Sequence, residues 1–312
     1  MFRRKKFRLR FSAGLPRANS AKGALARAGL ASRTLVLGER TLVMGVLNVT
    51  PDSFSDGGQF LDTEQAVARA FEIESAGADI LDIGGESTRP GSVGLSAREE
   101  LRRVIPVLEK LHGRLKVPVS IDTSKSEVAE AAIYQGAEII NDVSGLRVDP
   151  RLAEIAAKRK LPLILMHMRG EPRTMQQKPF ARDVLRDVTG GLRQSVATAR
   201  RAGVAKSQII LDPGIGFGKT TQQNFELLAR LPELARLGFP LLVGTSRKGF
   251  IGKALGGAAE SERAWGTAAT VAAVILAGAH IVRVHDVTEM VQVARVADAI
   301  AKGRAAARTA AK

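Results

Sequence analysis

Three polar residues end three apolar segments of this 312-residue chain: Asp122, Asn141 and Asp212. Carboxylate and amide groups offer hydrogen-bond acceptors and donors to a planar polar ligand. A buried carboxylate needs paired donors to stay charged, and a ring with amino and ring N–H groups beside a carbonyl would supply them. The trio predicts a pocket for such a ring, with a purely structural hydrogen-bonded network as the alternative.

Cationic side chains follow other apolar segments: Arg89, Arg247, Lys248, Arg283 and His285. Arg283 and His285 alternate with Val284, so they share one face of an extended strand. Arginine binds phosphate oxygens through two parallel hydrogen bonds. These residues favour a phosphate or diphosphate substrate.

The amino-acid composition excludes several classes of catalytic and binding site. The chain contains no cysteine, which excludes a disulfide scaffold, a zinc-thiolate site, an iron-sulfur cluster and a thiol nucleophile. The net charge of +16 is concentrated at the ends, since residues 1–33 hold ten basic residues and no acid, and four basic residues follow Asp298. The part between carries 33 basic and 31 acidic residues. It makes no case for a nucleic-acid groove, and only nonspecific binding through the basic arm is expected.

Residues 1–33 are expected to form a disordered basic extension, ahead of a single domain over residues 34–312. The arm lacks the apolar core of a secretory signal. An upstream start codon, an organelle transit peptide and an anion-binding tail stay open as alternatives. The longest uncharged stretch, residues 264–282, contains Gly, Thr and His. It predicts a buried helix followed by a strand rather than a membrane span, and we expect a cytoplasmic location without membrane contact.

From Thr41 onward, β-branched apolar segments alternate with helical stretches. Eight such segments occur, at 42–48, 79–85, 117–123, 138–144, 161–167, 208–213, 241–246 and 280–286. Continuous apolar strands between helices indicate a parallel sheet buried on both faces. Eight units predict an α/β fold of the (β/α)8 TIM-barrel type, with an open doubly wound sheet as the alternative. The site then lies in the loops that follow the strands.

Two of these loops stand out. The segment NVTPDSFSDGG, residues 48–58, is long and polar, which is typical of an active-site lid. The segment DPGIGFGKT, residues 212–220, is not a P-loop, because Pro213 stands where that motif needs its first glycine. We interpret it as a tight loop that places Phe217 at the barrel mouth.

Seven segments in order closely resemble the dihydropteroate synthase family over residues 41–300: MGVLNVTPDSFSDGG, DIGGESTRPGS, SIDTSK, IINDVSG, ILDPGIGFGK, GTSRKGFIG and RVHDV. The resemblance implies a transferase of folate biosynthesis and a sulfonamide target. Its reaction condenses 6-hydroxymethyl-7,8-dihydropterin diphosphate with 4-aminobenzoate to 7,8-dihydropteroate and diphosphate. It also implies a homodimer and Mg²⁺.

The resemblance further implies a role for each matching residue. Pterin binding falls to Asp122, Asn141, Asp212 and Lys248. Diphosphate binding falls to Asn48, Arg283 and His285, with Asn48 also a Mg²⁺ ligand through its amide oxygen. The 4-aminobenzoate site comprises Thr88, Arg89, Pro90, Phe217 and Lys248. The catalytic residues are Asp122, Lys248, Arg283 and His285, acting on a C–O bond that breaks early.

The chain departs from the family at Gly249, where many members have serine, so a hydroxyl contact to the 4-aminobenzoate carboxylate is absent. Backbone N–H groups of the following helix could bind that anion instead. We expect His112 and His280 to be structural. His167, at a strand end, fits either a structural or a functional role. Two alternatives remain: a barrel like the methyltetrahydrofolate methyltransferases, and a degenerate partner that binds pterin without turnover.

Overall fold

The computed structural model describes residues 6–12, 32–50, 58–87, 91–92, 94–171, 173–175, 177 and 181–310. The strands are β1 (Phe7–Ser12), β2 (Ser32–Leu37), β3 (Leu42–Asn48), β4 (Ile80–Gly84), β5 (Val119–Asp122), β6 (Ile139–Asp142), β7 (Leu163–Met166), β8 (Ile209–Asp212), β9 (Leu242–Gly244) and β10 (Ile281–Val284). The helices are α1 (Gly58–Ser75), α2 (Ala97–Leu111), α3 (Ser126–Tyr134), α4 (Arg151–Arg159), α5 (Val184–Arg201), α6 (Thr221–Ala229), α7 (Leu231–Leu234), α8 (Gly249–Ala254), α9 (Ala264–Leu276) and α10 (Val287–Ala310).

Eight parallel strands of the described chain form a barrel in the order β8-β7-β6-β5-β4-β3-β10-β9. The two outermost strands of that order meet where the Leu211 N–H donates to the Pro240 carbonyl at 2.9 Å. A bridge between Leu211 and Leu241 completes the closure. The (β/α)8 prediction is therefore confirmed, and the open doubly wound sheet is excluded.

Most strands are shorter than the apolar segments predicted from the sequence, because polar side chains at their ends bind the following loops. In β6, the Asp142 carboxylate accepts hydrogen bonds from the Ser144 N–H at 2.8 Å and the Leu146 N–H at 2.6 Å. The chain turns there instead of continuing the ladder. Only β3 has the predicted bounds, residues 42–48.

An apolar plug fills the N-terminal end of the barrel. Its buried members from the barrel strands are Leu42, Met44, Ile80, Ile139, Ile164, Ile210, Leu242 and Ile281. Leu9 and Leu37 come from an antiparallel hairpin in which β1 pairs with β2. Leu9 is 1% exposed, and burying one leucine contributes about 2 kcal/mol.

The hairpin differs from the expectation of disorder over residues 1–33. Residues 7–12 pair with residues 32–37, and Phe7, Leu9, Leu35 and Leu37 of this hairpin pack in the plug. The Phe7 ring also packs edge-on against His280, 5.3 Å between ring centroids. The expected domain boundary at residue 34 thus falls inside β2, while residues 1–5 and 13–31 lie outside the described residues.

The uncharged stretch at 264–282 forms α9 and the start of β10, as predicted. Gly77 and Gly278 both adopt positive φ, +97° and +107°, in the turns that end helices before β4 and β10. These are the left-handed positions that favour glycine. Among the described helices, none combines the length and apolarity needed to cross a bilayer.

Candidate active site

One arginine joins two strands across the C-terminal mouth of the barrel. Arg283, on β10, donates from Nε to Asp82 Oδ2 at 2.6 Å and from Nη2 to Asp122 Oδ2 at 2.7 Å. Asp82 lies on β4, and Asp122 is the last residue of β5. Asn141 Nδ2, on β6, donates to the same Asp82 oxygen at 3.1 Å. The structure thus brings together Arg283, Asp122 and Asn141, all named from the sequence.

The sequence reasoning missed Asp82, the centre of this network. Its carboxylate is fully buried, and Oδ1 has no hydrogen-bond partner within the described part of the chain. Asp82 follows the plug residue Ile80 by two positions, so both side chains face the barrel interior. The same spacing recurs in the pairs Ile139–Asn141, Ile210–Asp212 and Ile281–Arg283. That repeat was the signal that could have found Asp82.

Burial sets the charge state of this network. Burial raises the pKa of Asp122 to about 8, although the Arg283 guanidinium lowers it. Burial lowers the pKa of Arg283, but the attraction of Asp82 and Asp122 is larger and leaves that pKa above its usual value. A cation is therefore held beside a carboxylate that titrates in the accessible pH range.

A second cluster follows β8 and β9, and β9 pairs with the strand that carries Arg283. Asp212 ends β8, and its Oδ1 accepts a hydrogen bond from the Gly214 N–H at 2.7 Å. Lys248 donates to the Ile215 carbonyl, and its Nζ lies 4.6 Å from the centroid of the Phe217 ring. Burial raises the pKa of Asp212, whereas burial lowers that of Lys248 to about 8 against the pull of Asp212. The predicted set of Asp212, Phe217 and Lys248 is therefore assembled at one place.

Asn48 and His285 lie at the ends of their strands. Asn48 is the last residue of β3, where it is half-buried and pairs in register with Gly84 of β4. The His285 N–H donates to Ser246 Oγ at 3.2 Å, and its Nδ1 lies 3.1 Å from that oxygen. Across the described residues, no group of three His, Asp or Glu side chains is arranged to hold a metal ion.

Arg247 does not join the cationic set expected from the sequence. Its guanidinium binds both oxygens of Asp286, and its N–H donates to Thr267 Oγ1 at 3.0 Å. Its backbone φ is +58°, a left-handed conformation that is uncommon for a residue other than glycine. Sequence spacing alone reveals neither this conformation nor the pairing with Asp286.

Some of the residues predicted to bind 4-aminobenzoate or to form the lid are not described by the structure. Thr88, Arg89 and Pro90 lie outside the described residues, as does 51–57 of the first lid segment. Gly249 begins α8, and a Cβ at that position would meet no heavy atom within 4 Å. The serine of other family members would therefore fit here.

Two histidines are structural, as predicted. His112 Nδ1 lies 2.9 Å from the Gln135 carbonyl, and His280 Nδ1 accepts the Leu241 N–H at 3.1 Å.

A family model described as "Pterin binding enzyme" matches residues 44–285. The dihydropteroate synthase of Synechocystis sp. is 52% identical over 84% of this chain and 91% of its own length. The dihydropteroate synthase of Escherichia coli is 49% identical over 82% of this chain and 90% of its own length.

Solved structures agree with these relatives. The Xanthomonas albilineans dihydropteroate synthase with 4-aminobenzoic acid has a TM-score of 0.80 and 45% identity, covering 86% of this chain and 95% of that one. The same enzyme in complex with 7,8-dihydropteroate has a TM-score of 0.76 and 42% identity, covering 85% and 95%. The chain belongs to the pterin-binding enzymes. Within them, it is a member of the dihydropteroate synthase family.

Proposed function

We propose that this chain condenses 6-hydroxymethyl-7,8-dihydropterin diphosphate with 4-aminobenzoate, giving 7,8-dihydropteroate and diphosphate. The observation that carries the proposal is the network of Asp82, Asp122, Asn141 and Arg283, which shares one barrel mouth with Asp212 and Lys248. It offers acceptors for the pterin N–H groups and cations for the leaving group. Family members of known structure bind 4-aminobenzoic acid and 7,8-dihydropteroate.

In this proposal the pterin ring binds to the polar residues at the C-terminal ends of the barrel strands, which we call the floor of the site. Asp122, Asn141 and Asp212 present carboxylate and amide groups from three barrel strands, and Lys248 adds a donor for the ring carbonyl. Burial raises the pKa of Asp212 because it destabilises the ionised carboxylate. Hydrogen-bond donors from a ligand would stabilise that buried anion.

Arg283 and His285 bind the diphosphate. A guanidinium has five N–H donors, and the contacts to Asp82 and Asp122 use two of them. The others can donate to the leaving group, whose charge grows as the C–O bond breaks.

Asn48 fits a Mg²⁺ site that is completed by the substrate. Mg²⁺ prefers oxygen ligands, keeps several waters and binds substrate phosphates, so one protein amide oxygen suffices. This agrees with the absence, among the described residues, of any acidic cluster that would hold a metal unaided. When bound, the ion neutralises charge on the departing diphosphate.

We assign 4-aminobenzoate binding to Phe217 and Lys248, together with Thr88, Arg89 and Pro90, which lie outside the described residues. Phe217 supports the aromatic ring and Lys248 lies against the Phe217 face. Gly249 leaves the carboxylate to the backbone N–H groups at the start of α8.

The reaction begins with loss of diphosphate, which departs with the bonding electron pair. The pterin-methyl cation that forms lies beside the Asp122 carboxylate, whose ionised form stabilises it. The arylamine nitrogen then supplies its lone pair to the new C–N bond and loses one proton. Every step uses oxygen and nitrogen groups, in keeping with a chain that contains no cysteine.

Diphosphate release by the purified chain tests this proposal. With the dihydropterin diphosphate, Mg²⁺ and 4-aminobenzoate, we expect equal amounts of diphosphate and dihydropteroate. Binding of the pterin without product would support a degenerate binding partner instead. Failure to bind the pterin would contradict the assignment of the floor, and methyl transfer from a methylated folate would favour the methyltransferase-like alternative.

We also propose a homodimer formed through α9 and α10. Large apolar side chains are exposed on these neighbouring helices: Trp265 at 86%, Val296 at 61% and Ile300 at 46%. Exposed apolar groups of this kind suit a protein interface. Sedimentation equilibrium should give a dimer that Trp265→Glu weakens and Tyr134→Glu, on α3, leaves intact. A monomeric wild type would contradict it.

Two expectations about the surroundings stay predictions. A cytoplasmic location awaits localisation of the full chain. Nonspecific nucleic-acid binding, if it occurs, should disappear when the ten basic residues of the arm, residues 1–33, are neutralised.

A further inference from the structure

A buried lysine outside the proposed substrate contacts lies behind the loop that follows β8. Lys219 is 3% exposed. Its Nζ donates to the Gly214 carbonyl at 2.8 Å, the Phe217 carbonyl at 3.0 Å and the His167 carbonyl at 3.3 Å, and lies 3.2 Å from His167 Nδ1. One ammonium therefore joins the loop after β8 to the loop after β7.

Two glycines allow the same loops to touch. Gly214 and Gly218 both have a φ of +64°. A Cβ on Gly214 would overlap the His167 carbonyl oxygen, and one on Gly218 would overlap the Arg169 carbonyl oxygen. The glycine spacing of the DPGIGFGK segment thus serves a close backbone approach, and Lys219 completes it.

The contact also fixes the state of His167. An ammonium has three N–H donors and no acceptor, so Nδ1 cannot donate to Lys219 while the lysine is charged, and the ring proton then sits on Nε2. Nε2 lies 3.7 Å from Asp187 Oδ2 on α5. Burial lowers the pKa of His167 to about 3, which keeps the ring neutral and able to accept.

The loop held by Lys219 contacts the active site at two points. The Ile215 carbonyl accepts the hydrogen bond from Lys248, and the Phe217 ring lies against Lys248 Nζ. Lys219 binds the carbonyls of Gly214 and Phe217. Ile215 lies between these two residues, and the ring belongs to Phe217. Any movement of this loop therefore moves the partners of Lys248.

We propose that Lys219 is a positioning residue for the arylamine half of the reaction. Its ammonium ties the loops after β7 and β8 together, so that the Ile215 carbonyl and the Phe217 ring hold Lys248 in place. The inference rests on the proposed function, because it concerns the site for 4-aminobenzoate. Burial lowers the pKa of Lys219 to about 7, so the tie should weaken as the ammonium deprotonates.

Lys219→Met tests the proposal, since it keeps the length of the side chain and removes the ammonium. We expect the KM for 4-aminobenzoate to rise about tenfold, as for loss of one buried charged contact. We expect the kcat to change by less than about threefold, and the equilibrium binding of the pterin diphosphate to stay at the wild-type level. Equal losses for both substrates, or an unchanged arylamine KM, would overturn the proposal.

A double-mutant cycle with Phe217→Ala separates positioning from a general loss of stability. If Lys219 acts through the Phe217 loop, the two effects on the arylamine KM will not add; additive effects would overturn the proposal. If Lys219→Met does not fold, His167→Leu serves in its place, because it removes the Nδ1 acceptor that lies 3.2 Å from Lys219 Nζ. We expect the arylamine KM to rise several-fold in His167→Leu and to stay near the wild-type value in the control His167→Asn, which keeps an acceptor there. An unchanged arylamine KM in His167→Leu would overturn the proposal. An inactive wild type would instead mean that the proposed function has failed.

Discussion

The two ends of the barrel are built from the same strands and differ in character. At the N-terminal end, the plug of ten apolar residues, closed by the β1–β2 hairpin, is buried. At the C-terminal end, two positions further along the strands, the interior residues include Asp82, Asn141, Asp212 and Arg283. Depth along a strand therefore decides whether an interior position belongs to the apolar plug or to the proposed substrate site.

The difference has a physical cause. An apolar side chain at the closed end gains free energy from burial alone. A charged side chain at the open end stays favourable only with partners, as Arg283 has in Asp82 and Asp122. Substitutions at the open end should thus change catalysis, and those at the closed end stability.

Arg283→Met should have the largest effect. It removes the proposed contact to the diphosphate and leaves Asp82 and Asp122 without their cation. We expect turnover to fall by about 10³ and the free energy of unfolding to drop by roughly 3 kcal/mol. Steady-state kinetics and urea unfolding measure both. The control is Arg247→Met, which breaks a pair with Asp286 away from the floor and should keep near-normal turnover; equal losses in the two variants would contradict the role of Arg283.

Asp122→Asn should reduce kcat by about 10² if its charge stabilises the cation. Because burial raises the pKa of Asp122 to about 8, the carboxylate is protonated below that pH and ionised above it. The kcat/KM for the pterin diphosphate should therefore rise with pH through this range in the wild type and lose that limb in Asp122→Asn. A pH profile shared by both proteins would remove Asp122 from the mechanism.

Phe217→Ala should have a smaller and more selective effect. Loss of the ring face beside Lys248 should raise the KM for 4-aminobenzoate by about tenfold, with pterin binding unchanged in calorimetry. Phe239→Ala is a matched control, since the centroid of the Phe239 ring lies 5.2 Å from Lys206 Nζ in a similar contact outside the barrel mouth. An equal rise in KM for the control would point to a general effect of losing a ring.

Leu9→Ala should leave turnover unchanged. It opens a cavity in the plug, and we expect the free energy of unfolding to fall by about 2–3 kcal/mol. Arg8→Ala, at the neighbouring exposed position, should have no such effect in the same denaturation experiment. If Leu9→Ala proved as stable as the wild type, the hairpin would not be part of the folded core.

Most of the barrel could be predicted from the sequence, because strands buried on both faces appear as continuous apolar segments. Asp122, Asn141 and Asp212 stood out because each is a polar residue that follows a mostly apolar run. Asp82 is followed by a further apolar residue, Ile83, and was found only when its two-residue spacing from Ile80 was compared across strands. The β1–β2 hairpin was hidden because the apolar residues of β1 alternate with arginines in a basic arm.

Other features depend on tertiary geometry. Arg247 pairs with Asp286, 39 residues further along the chain, and the contacts of Lys219 with four acceptor atoms need two loops that are distant in sequence. Neither of these contacts produces a periodic pattern in the sequence.

Turnover and stability of Asp122→Asn and Leu9→Ala, measured together with the wild type, test most directly whether the two ends are separate in function. Dihydropteroate and diphosphate are quantified in one reaction, and unfolding is followed in the same buffer. We expect Leu9→Ala to be less stable with wild-type turnover, and Asp122→Asn to lose turnover while remaining folded. Loss of turnover in Leu9→Ala as large as in Asp122→Asn, at a temperature where both are folded, would contradict the division between a structural and a catalytic end.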